Sequence, residues 1–286
     1  MARIAYIDGQ YQPTGDPAVM VEDRGYQFAD GVYEVFAIRR GDLLDEDLHL
    51  ARLQNSLAEM DIPEPASLAS LKLIMRELIR RNRVGEGVLY LQVTRGVARR
   101  EHIYRTKLRP VLVMTVTATN PAARARVRRE GISVISVPDQ RWARCDIKSI
   151  SLLPNVLARQ SAYTAGAGEA WQVDAQGFVT EGAATNAFIV DKQGCLRTRL
   201  ADKAILNGIV RQVLIDIAHE LNYQLKEVAF TLDEAKDAQE CFSTASTLAV
   251  FPVVSIDGCV IGEGKPGPVA SALAERYDAL AEGMRK

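Results

Sequence analysis

Residues 141–155 read RWARCDIKSISLLPN and place one lysine, Lys148, beside the apolar Ile147 and Ile150. An apolar neighbourhood desolvates an ammonium group and favours the neutral amine that a Schiff base requires. A lysine chosen from sequence alone is more often a solvated surface charge. Lys148 therefore becomes a candidate nucleophile only if residues suited to the same chemistry accompany it elsewhere in the chain.

Four further groups could bind a ligand or take part in the same chemistry, and each also has an ordinary structural explanation. Glu181, in TEGAATN, follows a predicted strand, where a carboxylate is most often a turn residue. Residues 207–210, NGIV, begin a predicted helix, whose free N–H groups and dipole favour a dianion; a plain helix start explains them equally. Arg52, in HLARLQNS, lies off the leucine face of its helix and offers a bidentate contact, or is simply solvated. A hydroxyl-rich loop, or a polar turn, comprises Ser243, Thr244, Ser246 and Thr247.

Composition excludes several classes of protein. The 286 residues are 48% hydrophobic and 25% charged with a net charge of -1, which is typical of a globular protein and gives no sign of nucleic-acid or membrane partners. Asp8 and Gly9 interrupt the region where a signal peptide needs an apolar core, and no run of about 18 apolar residues occurs, so we expect a cytoplasmic protein. The four cysteines lack metal-ligand spacing, which predicts free thiols and no metal site.

Hydrophobic periodicity predicts an α+β fold, because strands cluster in meanders instead of alternating with helices. Asp8-Gly9 and Asp257-Gly258 predict hairpins, and Thr231 with Glu234 predicts a capping box. The length predicts two domains. We place a smaller domain at 1–120, a linker at 121–130 and a larger domain at 131–286. The linker sequence PAARARVRRE is equally suited to a solvated surface helix. Strands are predicted at 32–39, 88–94, 111–119, 132–137, 170–173, 178–180, 187–190 and 225–230. Helices are predicted over 50–60, from 71 to near Gly85, over 155–164 and 208–221, and at the alanine-rich C-terminus.

Together these motifs resemble the class IV aminotransferases, the pyridoxal-phosphate (PLP) enzymes of fold type IV. The resemblance spans nearly the whole chain, and the order of its motifs makes it specific. It implies two α/β-type domains with PLP in the interdomain cleft and a homodimer that completes each site. The motifs are EDRGYQFADGVYE (22–34), HLARL (49–53), QVTRG (92–96), RWARCDIKS (141–149), TEGAATN (180–186), ILNGIVR (205–211) and STAST (243–247).

By this resemblance, Lys148 forms the Schiff base with PLP and moves the proton from the substrate. Glu181 pairs with the pyridine nitrogen, because an acidic partner that keeps this nitrogen protonated lets the ring accept electrons. Leu206 packs against the ring. The phosphate contacts are Arg52, Ile209, Val210, Ser246 and Thr247.

Within the family, the chain most resembles D-amino-acid aminotransferases. In those enzymes a tyrosine, an arginine and a histidine bind the substrate carboxylate, the last two from the neighbouring subunit. Tyr33, Arg100 and His102 occupy the matching positions, although RREH also suits a solvated loop and Tyr33 a core position. The resemblance implies transfer of an amino group from a D-amino acid such as D-alanine to 2-oxoglutarate. Alternatives in the same family are aminodeoxychorismate lyase, against which Arg100 and His102 argue, and a branched-chain L-amino-acid aminotransferase.

Three residues depart from the family pattern. Ala183 and Ala184 replace serines that often follow the Glu-Gly pair, and Val210 replaces a threonine that often contacts the phosphate. The backbone N–H of Val210 is retained, so we expect phosphate binding with one donor fewer. We expect the alanines to change how the protein adjusts the electronic properties of the cofactor, and therefore the rate. The reaction class should stay the same.

Overall fold

The computed structural model describes residues 3–16, 19–104 and 107–283. The chain divides into two compact units: unit 1 comprises Met1–Asn120 and Ile147–Ser151, and unit 2 comprises Pro121–Asp146 and Leu152–Lys286. The short return to unit 1 carries Lys148. Among the described residues, no helix is both long enough and apolar enough to cross a membrane.

Unit 1 is built on a six-stranded antiparallel sheet with the strand order β2-β1-β6-β5-β3-β4. Helices α2 and α3 pack against this sheet and enclose a core of leucine, isoleucine, valine and methionine side chains. The elements of unit 1 are β1 Ile4–Ile7, β2 Gln10–Pro13, α1 Arg24–Phe28, β3 Gly31–Arg39, β4 Asp42–Leu43, α2 Glu46–Glu59, α3 Leu68–Asn82, β5 Glu86–Thr94 and β6 Val111–Ala118.

Local sequence explains these elements. Asp8 and Gly9 have φ of 43° and 102°, the positive values that the tight turn between β1 and β2 requires. Buried side chains recur every second residue along β5, as a half-buried strand demands. In α2 the buried residues include Leu50, Leu53 and Leu57, which confirms the predicted helix face.

Unit 2 is built on a mixed nine-stranded sheet in the order β12-β11-β10-β13-β14-β7-β8-β9, with β15 paired to β14. Strand pairs β7–β8, β7–β14 and β11–β12 are parallel and the others are antiparallel. The elements are α4 Pro121–Glu130, β7 Ile132–Pro138, α5 Leu153–Thr164, β8 Glu169–Val173, β9 Val179–Gly182, β10 Asn186–Val190, β11 Leu196–Thr198, α6 Ile209–Glu220, β12 Leu225–Glu227, α7 Leu232–Lys236, β13 Glu240–Ala245, β14 Ala249–Ile256, β15 Cys259–Val260 and α8 Pro268–Gly283.

Unit 2 differs from the sequence expectations in three places. Residues 121–130, expected as a linker or equally as a solvated surface helix, form the helix α4, which has no buried residues and belongs to unit 2. The strand expected over 225–230 ends at Glu227. The expected hydroxyl-rich loop is largely the buried strand β13, and only residues 246–248 form a turn. This strand was missed because the adjacent Ser243 and Thr244 are polar, whereas the position of the strand between β10 and β14 buries both of its faces.

Candidate active site

The backbone around Lys148 is fixed to strand β3 within unit 1. Tyr33 N donates to Lys148 O at 3.0 Å, and Ile150 N donates to Gly31 O at 3.0 Å. Lys148 N also donates to Ser56 Oγ at 3.3 Å. These bonds hold the Nζ atom of Lys148 4.2 Å from the centroid of the Tyr33 ring. The amine therefore has a defined position over an aromatic face.

Arg52 makes a bidentate ion pair inside unit 1, and its partner is Glu34. Arg52 Nε lies 2.7 Å from Glu34 Oε1, and Arg52 Nη2 lies 2.8 Å from Glu34 Oε2. His49 Nδ1 is 2.7 Å from the same Oε2. Glu34 is completely buried, and only 11% of the Arg52 side chain is exposed. The arginine is thus oriented by a buried carboxylate before any ligand arrives.

The charges of this cluster follow from its burial. Burial alone would raise the pKa of Glu34, but Arg52 and His49 outweigh it and lower the pKa to about 2. Burial lowers the pKa of His49 despite the nearby Glu34, so the ring is neutral at pH 7. A neutral His49 that contacts a carboxylate at 2.7 Å must carry its proton on Nδ1 and donate it to Glu34.

Glu181 is the central acidic residue of unit 2. Its side chain is 8% exposed. Oε2 accepts from Asn186 Nδ2 at 2.9 Å and from Leu206 N at 3.1 Å, and Oε1 accepts a hydrogen bond from Arg141 Nη1. A carboxylate that accepts several hydrogen bonds, one from a cation, is stabilised in its ionised form. Leu206 and Asn186 are joined further, since Asn186 Nδ2 donates to Leu206 O at 2.8 Å.

Arg141 connects Glu181 to a second carboxylate, Asp139. Arg141 Nε lies 3.0 Å from Asp139 Oδ1, and Nη2 lies 2.7 Å from Oδ2. Burial alone would raise the pKa of Asp139, but the hydrogen bonds and charge of Arg141 hold it below its usual range. Burial alone would lower the pKa of Arg141, and the two carboxylates reverse this effect. Asp139 and Arg141 are therefore both charged at pH 7.

The N-terminus of α6 has the chemistry of an anion site. Its first residues, Ile209 and Val210, are buried, and the N-cap residue Gly208 supplies no side chain that bonds their N–H groups. A Cβ at Gly208 would lie 2.0 Å from Asn186 Oδ1, so only glycine fits here beside the side chain that holds Glu181. Unsatisfied helix N–H groups and the helix dipole favour a dianion such as the phosphate of the implied cofactor.

Two buried hydroxyl groups in unit 2 also suit a polar ligand. Thr185 Oγ1 and Thr244 Oγ1 lack a hydrogen-bond partner in the part of the chain that the structure describes. Thr185 precedes Asn186, and Thr244 lies opposite Asn186 in the β10–β13 register. A buried hydroxyl without a partner costs free energy, so these atoms fit a site that a ligand completes. The residues of unit 2 are therefore compatible with PLP.

The other predicted hydroxyl groups have different surroundings. Ser246 and Thr247 lie in the turn after β13, with Ser246 half-buried and Thr247 exposed. Ser243 is completely buried, and its Oγ lies 2.9 Å from Trp171 Nε1. An indole N–H only donates, so Ser243 acts as its acceptor inside the core.

The loop that carries Arg100 and His102 is exposed on unit 1 and anchored by a buried arginine. Arg24 Nη1 donates to Glu101 O at 2.6 Å, and its Nε lies 2.8 Å from Asp30 Oδ2. The guanidinium of Arg100 lies 5.0 Å from the centroid of the Phe28 ring, and the His102 ring 5.3 Å from it. The two predicted carboxylate-binding side chains thus both pack near one aromatic ring.

The structure brings the predicted residues together in two groups. Lys148 contacts Tyr33 within unit 1, and Leu206 contacts Glu181 within unit 2. Sequence reasoning missed the residues that orient Arg52 and Glu181, although each lies in a motif that the resemblance quotes: Glu34 in DGVYE, His49 in HLARL, Arg141 in RWARCDIKS and Asn186 in TEGAATN. In the described residues, no group of three or more His, Cys, Asp and Glu side chains is placed to hold a metal ion.

Comparison with known proteins identifies the family. The model of the amino-transferase class IV family matches residues 31–256. A D-alanine aminotransferase of Bacillus licheniformis is 43% identical over 264 residues, 92% of each chain, and one of Staphylococcus haemolyticus is 36% identical over 278 residues, 97% of each chain.

Solved structures agree with this assignment. The branched-chain aminotransferase of the thermophilic archaeon Thermoproteus uzoniensis with norvaline has a TM-score of 0.85 at 25% identity and covers 99% of this chain and 96% of its own. A PLP-bound hypothetical aminotransferase from Mycobacterium tuberculosis has a TM-score of 0.84 at 25% identity, with 96% and 98% covered. The predicted α+β fold of type IV is confirmed. The chain belongs to the class IV aminotransferases.

Proposed function

We propose that this protein is a PLP-dependent aminotransferase that moves an amino group from a D-amino acid, such as D-alanine, to a 2-oxo acid, such as 2-oxoglutarate. The observation that carries the proposal is the 43% identity, over 92% of both chains, to a curated D-alanine aminotransferase. When bound, PLP supplies an electron-accepting ring that makes removal of a substrate Cα proton feasible. All other contributions come from side chains of this protein.

Lys148 is the residue to which we assign the covalent bond with PLP and the transfer of the Cα proton. Its backbone is fixed by Tyr33 and Ser56, and its Nζ lies over the Tyr33 ring. A positioned amine can act first as nucleophile and then, once a substrate has displaced it, as general base.

Glu181 is the residue to which we assign the pyridine nitrogen. Asn186, Leu206 N and Arg141 fix its carboxylate in an ionised form. An ionised carboxylate favours a protonated ring nitrogen by direct attraction. Leu206 is assigned to the ring face.

The phosphate is assigned to the N-terminus of α6 and to donors from other elements of the chain. Ile209 and Val210 offer backbone N–H groups, so the replacement of a family threonine by Val210 removes only one hydroxyl. Ser246 and Thr247 offer hydroxyls from the turn after β13. Arg52 adds a charge whose orientation Glu34 sets.

Tyr33, Arg100 and His102 are assigned to the substrate carboxylate. A guanidinium and two neutral donors match a carboxylate, and fixing the carboxylate decides which Cα hydrogen faces the base. Arg100 and His102 are exposed on unit 1, as residues offered to a neighbouring subunit must be. We therefore also propose that the protein is a homodimer. Its proposed location is the cytoplasm, as expected from the sequence. Exposed apolar side chains of α5, namely Leu153, Val156, Leu157 and Tyr163, support a subunit interface.

A branched-chain L-amino-acid aminotransferase is the second candidate, because branched-chain enzymes are among the similar solved structures. The deciding experiment mixes the purified holoenzyme with D-alanine, L-alanine or L-leucine alone and follows loss of the visible cofactor absorbance. We expect rapid loss with D-alanine only. Rapid loss with L-leucine and none with D-alanine would establish the second candidate instead.

A lysine variant tests the covalent assignment separately. Lys148→Ala should lose the visible absorbance that borohydride removes, whereas the matched Lys226→Ala, at an exposed position on β12, should retain it. A Lys148→Ala protein that remains yellow and reducible would remove Lys148 from this role.

A further inference from the structure

Arg141 donates hydrogen bonds to both Glu181 and Asp139, and more of them go to Asp139. The guanidinium of Arg141 gives Asp139 two hydrogen bonds, from Nε and Nη2, at 3.0 and 2.7 Å, and gives Glu181 one, from Nη1. The exposed fractions are 6% for Arg141 and 12% for Asp139. A bidentate pair of this kind is the stronger and more directional arrangement.

Hydrogen bonds around the pair fix this arrangement. Thr180 Oγ1 accepts from Arg141 Nη2 at 3.2 Å and lies 2.7 Å from Asp139 Oδ2, to which it donates. Arg141 Nη2 also donates to Ala204 O at 3.1 Å. The guanidinium therefore cannot turn away from Asp139 to neutralise Glu181 more completely.

The net charge of Arg141, Glu181 and Asp139 together distinguishes this cluster from a simple ion pair. Arg141 alone beside Glu181 would make a neutral pair, in which the guanidinium weakens the attraction of Glu181 for a proton on the ring nitrogen that faces it. With Asp139 present, two carboxylates and one guanidinium carry a net charge of -1. In a buried setting, such a charge acts over several ångströms with little screening.

We propose that Asp139 is a positioning residue that offsets the charge of Arg141 and so raises the proton affinity of the PLP ring nitrogen held by Glu181. The inference rests on the proposed function, which assigns Glu181 to that nitrogen. It gives Asp139, which never touches the ring nitrogen in this scheme, an effect on the cofactor that is purely electrostatic.

The pKa of a nearby thiol, that of Cys145, is affected by the same three charges. Burial raises the pKa of Cys145 to about 11; Arg141 opposes this effect, and Glu181 and Asp139 add to it. The two carboxylates and the guanidinium thus act on the pKa of Cys145 in opposite directions.

The chain offers a matched control pair that begins three residues after Arg141. Arg144 Nη2 lies 2.8 Å from Asp146 Oδ2, again with the two residues two positions apart, and Arg144 Nε lies 2.9 Å from Asp146 Oδ1. About a third of each side chain is exposed. Asp146→Asn thus removes the same charge, by the same change, from a similar pair that solvent screens more strongly.

The test measures the ring nitrogen directly. Holoenzyme is loaded with PLP labelled with ¹⁵N in the ring, and the ¹⁵N chemical shift is titrated with pH for the wild type, Asp139→Asn, Asp146→Asn and Glu181→Gln. We expect Asp139→Asn to lower the proton affinity of the nitrogen about tenfold, a shift of about one pH unit towards acid. Asp146→Asn should titrate like the wild type, and Glu181→Gln should shift at least as far as Asp139→Asn.

Two outcomes separate this inference from the proposed function. If Glu181→Gln shifts the titration and Asp139→Asn does not, the role of Asp139 is refuted while Glu181 keeps its assignment. If Glu181→Gln leaves the titration unchanged, the assignment of Glu181 fails and the inference fails with it.

A conservative variant keeps the test decisive if Asp139→Asn does not fold. Asp139→Glu retains the charge, and we expect its titration to return to within about threefold of the wild-type proton affinity. Thr180→Val keeps all three charges but removes one restraint, so its ¹⁵N titration should change less than that of Asp139→Asn. A folded Asp139→Glu protein that shifts towards acid by a full pH unit would overturn the electrostatic role.

Discussion

Trp171 Nε1 donates a hydrogen bond of 2.9 Å to Ser243 Oγ in the core of unit 2, and both side chains are completely buried. The bond joins β8 to β13, which are not neighbours in the sheet order. It explains why a serine occupies a buried strand position, because a buried indole N–H needs an acceptor. Ser243 is thus structural, whereas the proposed phosphate contacts Ser246 and Thr247 lie in the turn that follows β13.

Ser243→Ala should destabilise the protein without weakening its hold on PLP. Loss of the acceptor leaves the Trp171 N–H buried and unsatisfied, which costs about 1–3 kcal/mol in the free energy of unfolding. Urea denaturation and equilibrium dialysis with PLP measure the two quantities. The exposed Thr247→Ala should give the reverse pattern, and equal loss of PLP affinity in both variants would contradict this division of roles.

Glu34→Gln should remove an acid-sensitive part of the stability. The pKa of Glu34 falls from 4.5 to about 2 on folding, so its contribution of about 3 kcal/mol is present above pH 4.5 and is lost as pH falls towards 2. The stability difference between wild type and Glu34→Gln should therefore shrink over this interval in pH-dependent urea unfolding. Glu86→Gln, which removes the less buried partner of Arg39, provides the comparison and should cost less at pH 7. A difference independent of pH would mean that Glu34 is not ionised in the folded protein.

Gly208→Ala should disturb the residues around Glu181 through a steric effect. The new Cβ would lie 2.0 Å from Asn186 Oδ1 and would displace a side chain that donates to Glu181. We expect a loss of about 1–3 kcal/mol in the free energy of unfolding and weaker PLP binding. Gly85→Ala is the control, since its Cβ would meet no atom within 4 Å among the described residues. Wild-type PLP affinity in Gly208→Ala would show that the helix start does not contribute to the site.

Arg100→Ala should raise the KM for amino acids and 2-oxo acids more than it lowers kcat. Removing a charge-assisted contact to a carboxylate costs about 2–4 kcal/mol if the pair is buried in the complex. Steady-state kinetics with D-alanine and 2-oxoglutarate measure the effect. Arg99→Ala, the adjacent exposed arginine, should behave like the wild type. Unchanged KM and kcat in Arg100→Ala would refute the assignment of the carboxylate to this residue.

Much of the fold follows from local patterns in the sequence. The Asp-Gly turn after β1, the leucine face of α2 and the capping box of Thr231 with Glu234 were predicted and are confirmed. Each depends on residues within one or two turns of chain, so propensity and periodicity suffice. The ordered motifs also predicted the family, which the class IV match confirms.

The partners of the charged residues were decided by the tertiary structure. Arg52 was expected to hold a phosphate, and the fold shows that a carboxylate 18 residues away, Glu34, orients it first. Glu181 was expected to face a cofactor, and the fold adds Arg141, 40 residues away, and through it Asp139. The spacing of charged residues in a sequence does not indicate which of them will pair. The partners depend on which groups are buried together at hydrogen-bond distance, and only the folded chain determines that.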